Sequence, residues 1–270
     1  MSANPSGSRA ISPVPRGMSE AEWGVRCDLA ACYQLIDLYG MSELAATHIS
    51  ARVPGPHDHF LLNPLGTLFD QITASSLVKV DVNGKVLDGN DPALVNAAGF
   101  VIHSAIHMAR PDLTCAVHTH TPANNAVACL KQGLLPLTLK ASVMMGFVGY
   151  HDCEGPSLHL DERERIVRDL GESGRVIIMR NHGAMTVGQN VAEAFVWMHR
   201  LETACRYQVA ALSQQGPGVE INWTSEELQK KSAQIGLKYL ASTGQMKVGL
   251  LEWSSLLVKL ERERGTSYRT

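Results

Sequence analysis

Between Leu77 and Gly89 the chain reads LVKVDVNGKVLDG, a segment that admits few alternatives to β-structure. Val78, Val80 and Val82 alternate with polar residues, and a period of two puts all three on one face of a strand. Asn83-Gly84 supplies a tight turn, and the chain resumes with Lys85-Val86-Leu87, so the segment predicts a β-hairpin. Around it, short apolar runs broken by turn residues, HISARV and HFLLN, are followed by stretches with helical spacing. Ser19 with Glu22 is a capping-box pattern that opens a helix running to about Tyr39 and stopping at Gly40. Helices are also expected over Asn96–Arg110, about Pro122–Lys131, Asp161–Leu170, from Asn190 through VAEAFVWMHRLETACRYQVAALS, and from near Ser225 through Tyr239. TCAVHTH and Arg175–Met179 read as strands, with weaker ones near LTLKAS and MGFVGY. This interleaving of helices and strands predicts an α/β fold.

The chain has 270 residues with neither an internal repeat nor a linker inside 18–245, which argues for one domain there. Residues 1–17 read as a flexible N-terminal arm, rich in Ser, Pro and Gly, and 246–270 as a charged, weakly fixed C-terminal helix or tail. A net charge of −2 with no clustered basic face excludes a nucleic-acid partner. No stretch approaches the roughly 20 apolar residues of a membrane span, and the N-terminus lacks a secretory run, so a cytoplasmic protein is expected. The six cysteines show no Cys-x-x-Cys spacing, which excludes a zinc ribbon or a thioredoxin-like motif.

His118-Thr119-His120 lies at the end of a predicted strand, where residues two apart face the same side. Two neutral imidazoles converging in this way form a clamp for zinc, manganese or iron(II). His182, in Arg180-Asn181-His182-Gly183, follows the strand RVIIM; if the two strands are neighbours, one sheet end presents three histidines. Three protein nitrogens with an open position are the composition of a catalytic metal site. His103 and His107 are four apart on one helix face, but no Glu follows His103, so the zinc-protease pattern is absent and packing or supporting roles are expected. His57-Asp58-His59 reads as a solvated loop.

These segments together resemble the class II aldolase/adducin family over about Ala21 to Gln214. The carriers are HISARV, LLNPLGT, ITASSLVKVDVNGKVLDG, NAAGFVIHSAIHMARPDLTCAVHTHTPA, GLLPL, VGYHDCEG and VIIMRNHGAMTVGQNVAEAF, closest in pattern to the adducin branch and its bacterial relatives. The resemblance implies a three-layer α/β/α sandwich with a central, mainly antiparallel sheet, and homotetramers with active sites between neighbouring subunits. It also implies that His118, His120 and His182 bind one divalent metal ion, with zinc first among the candidates. That ion would act as a Lewis acid, stabilising an enediolate as a carbon–carbon bond breaks.

The departures from the family pattern are as informative. A Ser-Ser-Glu run of the family's aldolases, whose glutamate is the acid/base or an extra metal ligand and whose serines help hold phosphate, aligns with Ala97, Ala98 and Gly99. The Asn of the first phosphate loop aligns with His48, and the serine of the second with Leu65. A glycine cannot carry a proton, so the implied function is a metal-dependent lyase acting on a small, non-phosphorylated oxo or hydroxy acid by aldolase or decarboxylase chemistry. His48, Tyr150 or His151 would then supply protons. Arg52 is a candidate carboxylate anchor by its bidentate geometry, and Arg180 and Asn181 flank His182 where they can orient an anionic substrate. Two other readings stay open: an iron(II) oxygenase on the same three histidines, and a non-catalytic adducin-like binding module.

Overall fold

The computed structural model describes residues 13–55, 58–155, 161–241 and 247–270, so most of the expected N-terminal arm, and His57, lie outside the described residues. Seven strands form one sheet: β1 (His48–Arg52), β2 (His59–Leu62), β3 (Val78–Asp81), β4 (Cys115–Thr119), β5 (Val148–His151), β6 (Val176–Met179) and β7 (Gly183–Gly188). Their order across the sheet is β3-β2-β1-β4-β7-β6-β5, and every pairing is antiparallel except β5 with β6.

Helices cover both faces, as the α/β/α expectation requires. The larger core joins Ile49, Val117, Val176, Ile178 and Ala184 to α1 (Glu20–Leu38), α6 (Val191–Leu212) and the shorter α3 (Pro122–Ala128) and α4 (Leu139–Met144). On the other face, Ala116, Ile177, Met185 and Val187 meet α2 (Ala97–Ala109) and α5 (Glu162–Leu170). Alternation along β4 therefore sends Cys115 and Val117 to the first core and Ala116 to the second. By the same parity His118 points to the α2 face, although it lies in a run with no polar alternation. Helix starts follow local chemistry: the side chains of Ser19, Asn96 and Asn190 accept from the backbone N–H of Glu22, Gly99 and Glu193, each three residues on.

The structure departs from the sequence reading in several elements. The hairpin at Val78–Leu87 has one full arm, β3, and its return is reduced to a single bridge between Val80 and Val86. The turn is set by Asp81, whose Oδ1 accepts from the N–H groups of Asn83 and Lys85. LTLKAS is not a strand: Thr138 caps α4, accepting from Ala141 N, and α4 packs on α7 (Glu226–Leu240) where Gly236 lets the two backbones approach. Pairing β4 with a strand made of GAMTVG was not foreseen, because small and mixed residues carry no alternation; all six are buried. The closing segment, read as a weakly fixed helix or tail, is a helix, α8 (Leu250–Arg264), and it is held in place: Leu260 and Tyr268 are buried, and Ala74 N donates to Tyr268 O. No helix among the described residues is long and apolar enough to cross a membrane.

Candidate metal centre

His118 is the penultimate residue of β4, His120 lies one residue past its end, and His182 sits in the turn joining β6 to β7. One ring nitrogen from each falls within 4.8 Å of the others. Ring centroids stand 4.6 Å apart for His118 and His120, 4.9 Å for His118 and His182, and 4.8 Å for His120 and His182. The β6–β7 turn carries two backbone signatures. Asn181 has φ +57°, and Gly183, with φ +150°, meets β4 so closely that a Cβ would stand 2.6 Å from Thr119 O and 2.8 Å from His120 Cδ2. A side chain at 183 would drive His182 away from its partners, which is why glycine follows it.

Hydrogen bonds fix which nitrogens converge. His118 Nδ1 is 3.1 Å from Ala184 O, and His120 Nδ1 is 2.8 Å from Glu43 Oε2. A carbonyl accepts only, and so does an ionised carboxylate, so each Nδ1 carries the proton and each Nε2 keeps its lone pair. Those two Nε2 atoms stand 2.8 Å apart. Facing lone pairs at that distance repel unless a cation is shared between them, so this donor set suits a divalent ion. Burial, and then the neighbouring histidines, push His118 well below the ordinary histidine value and His182 down to about 4. Both rings are therefore neutral, and ready to ligate, at physiological pH.

His48 joins the cluster across the sheet. It pairs with His118 in the β1–β4 register, with ring centroids 4.9 Å apart. Gly99 opens α2 directly over this ring, and a Cβ there would stand 2.7 Å from His48 Cδ2. The imidazole thus fills the space that a side chain at 99 would enter. His48 Nδ1 lies 2.7 Å from His103 Nε2, and burial holds His48 well below the usual histidine range.

The other predicted residues are placed differently. Arg52 does not reach the triad. It lies four residues further along β1, roughly 13 Å at strand rise, with its guanidinium bonded to His107 O and over the Phe60 ring. His151 lies between Asp169 (2.8 Å) and Glu162 (3.3 Å), both occupying its nitrogens. Tyr150 belongs to the opposite face, packed on the larger core beneath the Arg180 guanidinium at 4.2 Å, its hydroxyl accepting from Leu134 N. Asn181 and Arg180 edge a cleft of about 370 Å³ together with Lys131 and Asp152, and none of the three histidines lines it. Tyr239 lies on α7. Sequence reasoning missed Glu43, which carries no spacing signal because it reaches His120 from 77 residues away. It also missed Ser50, although Ser50 shares a strand face with His48.

The class defined by this topology is an α/β sandwich with three convergent histidines at one sheet end that could hold a metal ion. The Class II Aldolase and Adducin N-terminal domain family matches residues 27–209, and the chain belongs to that family. A class 2 aldolase-type protein of Caulobacter vibrioides is 46% identical over 246 residues, 91% of this chain and 92% of that protein. Alpha-adducin of Rattus norvegicus is 47% identical over 193 residues, 71% of this chain but 26% of the adducin. Among solved structures, an aldolase II superfamily protein from Pseudomonas syringae superposes with TM-score 0.86 at 44% identity, covering 94% of this chain and 98% of that one. L-fuculose 1-phosphate aldolase from Glaciozyma antarctica superposes with TM-score 0.78 at 27% identity, covering 96% and 97%.

Proposed function

We propose that this chain is a metal-dependent lyase that stabilises the enolate of a small, non-phosphorylated oxo or hydroxy acid, by aldol cleavage or decarboxylation. The observation that carries this reading is the convergence of His118, His120 and His182 beside a fourth imidazole, His48, seated against Gly99. Three protein nitrogens hold the ion and leave positions open for a substrate's oxygens. A bound divalent ion, zinc by preference, supplies Lewis-acid stabilisation of the negative charge that develops on the carbonyl oxygen. His48 handles the proton at the position left without a carboxylate by Gly99. Ala97, Ala98 and Leu65 offer no hydroxyl for a phosphate, which supports an unphosphorylated substrate. The working unit is a cytoplasmic homotetramer, in keeping with the family.

The test is metal analysis of the purified protein followed by a panel of small 2-oxo and 2-hydroxy acids, with sugar phosphates as controls. One equivalent of zinc or manganese is expected, with release of carbon dioxide or an aldehyde from an unphosphorylated acid. His118→Ala abolishes turnover, and His48→Gln slows it by about 10²–10⁴-fold. Iron with oxygen consumption overturns the lyase in favour of the oxygenase. Absence of stoichiometric metal overturns both.

A further inference from the structure

Behind His48 runs a chain of polar groups that the metal centre does not use. His48 Nδ1 lies 2.7 Å from His103 Nε2, His103 Nδ1 lies 2.5 Å from Ser50 Oγ, and Ser50 Oγ lies 2.7 Å from His107 Nε2. All four residues are buried; Ser50 is fully so. The chain exists because two elements are in register. His48 and Ser50 are i and i+2 on β1, on one face, while His103 and His107 are i and i+4 on α2, one turn apart. Each ring is buried and its partners in the chain are imidazoles and a hydroxyl, with no carboxylate among them to balance a charge, so the row is counted with one proton on each ring.

That proton count leaves few arrangements. The Ser50 hydroxyl has one hydrogen, and its two hydrogen-bond partners are the His103 and His107 nitrogens. If Ser50 donates to His107 Nε2, it accepts from a proton on His103 Nδ1. His103 Nε2 is then bare and accepts from His48 Nδ1. If Ser50 donates instead to His103 Nδ1, His107 carries its proton on Nε2, His103 donates from Nε2, and His48 Nδ1 is bare. In the first polarity all three rings are protonated on Nδ1, and in the second all three on Nε2. The free edge of His48 is accordingly an acceptor in one polarity and a donor in the other, and mixed patterns leave two buried groups unbonded.

We propose that Ser50, His103 and His107 are positioning residues, a hydrogen-bonded chain that locks the ring and the tautomer of His48 against Gly99. This rests on the reading of His48 as the proton-handling group, and it states how one histidine is kept in a single protonation pattern beside a cationic centre. Gly99 is the other jaw, since any Cβ there displaces the ring from the chain.

The experiment is nitrogen-15 histidine NMR on the zinc-loaded full chain, which reports the protonated nitrogen of each imidazole. In the wild type, His48, His103 and His107 are expected to carry the proton on the same nitrogen, each as a single tautomer. Ser50→Ala cuts the chain, and His48 and His103 then lose the single-tautomer signature; Ser50→Thr, which keeps a hydroxyl, restores it. Gly99→Ala pushes the His48 ring away and is expected to abolish its single tautomer while leaving His107 unchanged. Protons on different nitrogens in the wild type overturn the proposal, and so does a His48 tautomer untouched by Ser50→Ala in a folded protein. If the tautomers behave as stated but His48→Gln leaves turnover intact, the chain stands and the assignment of His48 to the chemistry falls.

Discussion

At the scale of single residues, the sharpest dependence is of His120 on Glu43. The carboxylate lies in the loop before β1, with half its side-chain surface in water, and its Oε2 accepts from His120 Nδ1 at 2.8 Å. As an ion pair it would add little to stability, because exposed pairs contribute about 0–1 kcal/mol. Its effect falls on the ligand: the bond orients the ring, fixes the tautomer that leaves Nε2 free, and raises the basicity of that nitrogen. Glu43→Ala is therefore expected to weaken zinc binding by roughly 10–100-fold with little change in the metal-free unfolding midpoint, measured by competition with a chromophoric chelator. Equal affinity in the two proteins removes Glu43 from the site. Gly183 is the complementary case, a residue whose contribution is to have no side chain where β7 passes His120.

At the scale of elements, α2 docks on β1 through histidines as well as through apolar residues. His103 and His107 face Ser50, and the His107 ring stacks on Phe60 at 4.7 Å between centroids. Burial, and then the Arg52 guanidinium, lower His107 from 6.5 to about 3. A group with a lowered folded value takes up protons more readily when unfolded, so stability falls as pH falls. The contribution is fully present above about 6.5 and is lost progressively toward 3, at up to about 1.4 kcal/mol per pH unit for each such ring. Urea unfolding at pH 8, 6.5 and 5 is expected to show a midpoint that drops below pH 6.5. The drop is smaller in His107→Gln, which carries no titrating ring at this place. A wild type and variant with the same pH slope would contradict the assignment.

At the scale of the whole molecule, the three histidines join the end of β4 to the β6–β7 turn, so an ion bound by them would bridge segments about 60 residues apart in sequence. A ligand that binds only the folded state raises stability by mass action, by about 2.7 kcal/mol at one hundred times its dissociation constant. Thermal unfolding with added zinc is expected at a higher temperature than with chelator, and His182→Ala should erase that difference. A chelator that leaves the melting temperature of the wild type unchanged removes the ion from the fold.

Much of this architecture was legible before any coordinates. The capping residues Ser19, Asn96 and Asn190 mark helix starts by side-chain bonds that form within three residues, and such bonds need no tertiary partner. His118 and His120 converge because strand geometry repeats every two residues, and the segments quoted above carry the family's pattern through most of the chain. What remained hidden depends on contacts between distant residues. GAMTVG is a central strand because β4 and β6 pair with its two edges and helices cover both its faces, although its own residues show no alternation. LTLKAS is a helix because α7 packs on it at Gly236. Arg52 is held by His107 and Phe60, neither adjacent in sequence, and this keeps it from the triad. The same holds at His48: its residue type and its place after Thr47 were plain, but only the approach of α2 to β1 put Gly99 and His103 on either side of its ring. Local hydrogen bonds and periodicity determined the elements and the ligand types, and long-range packing decided which side chains meet.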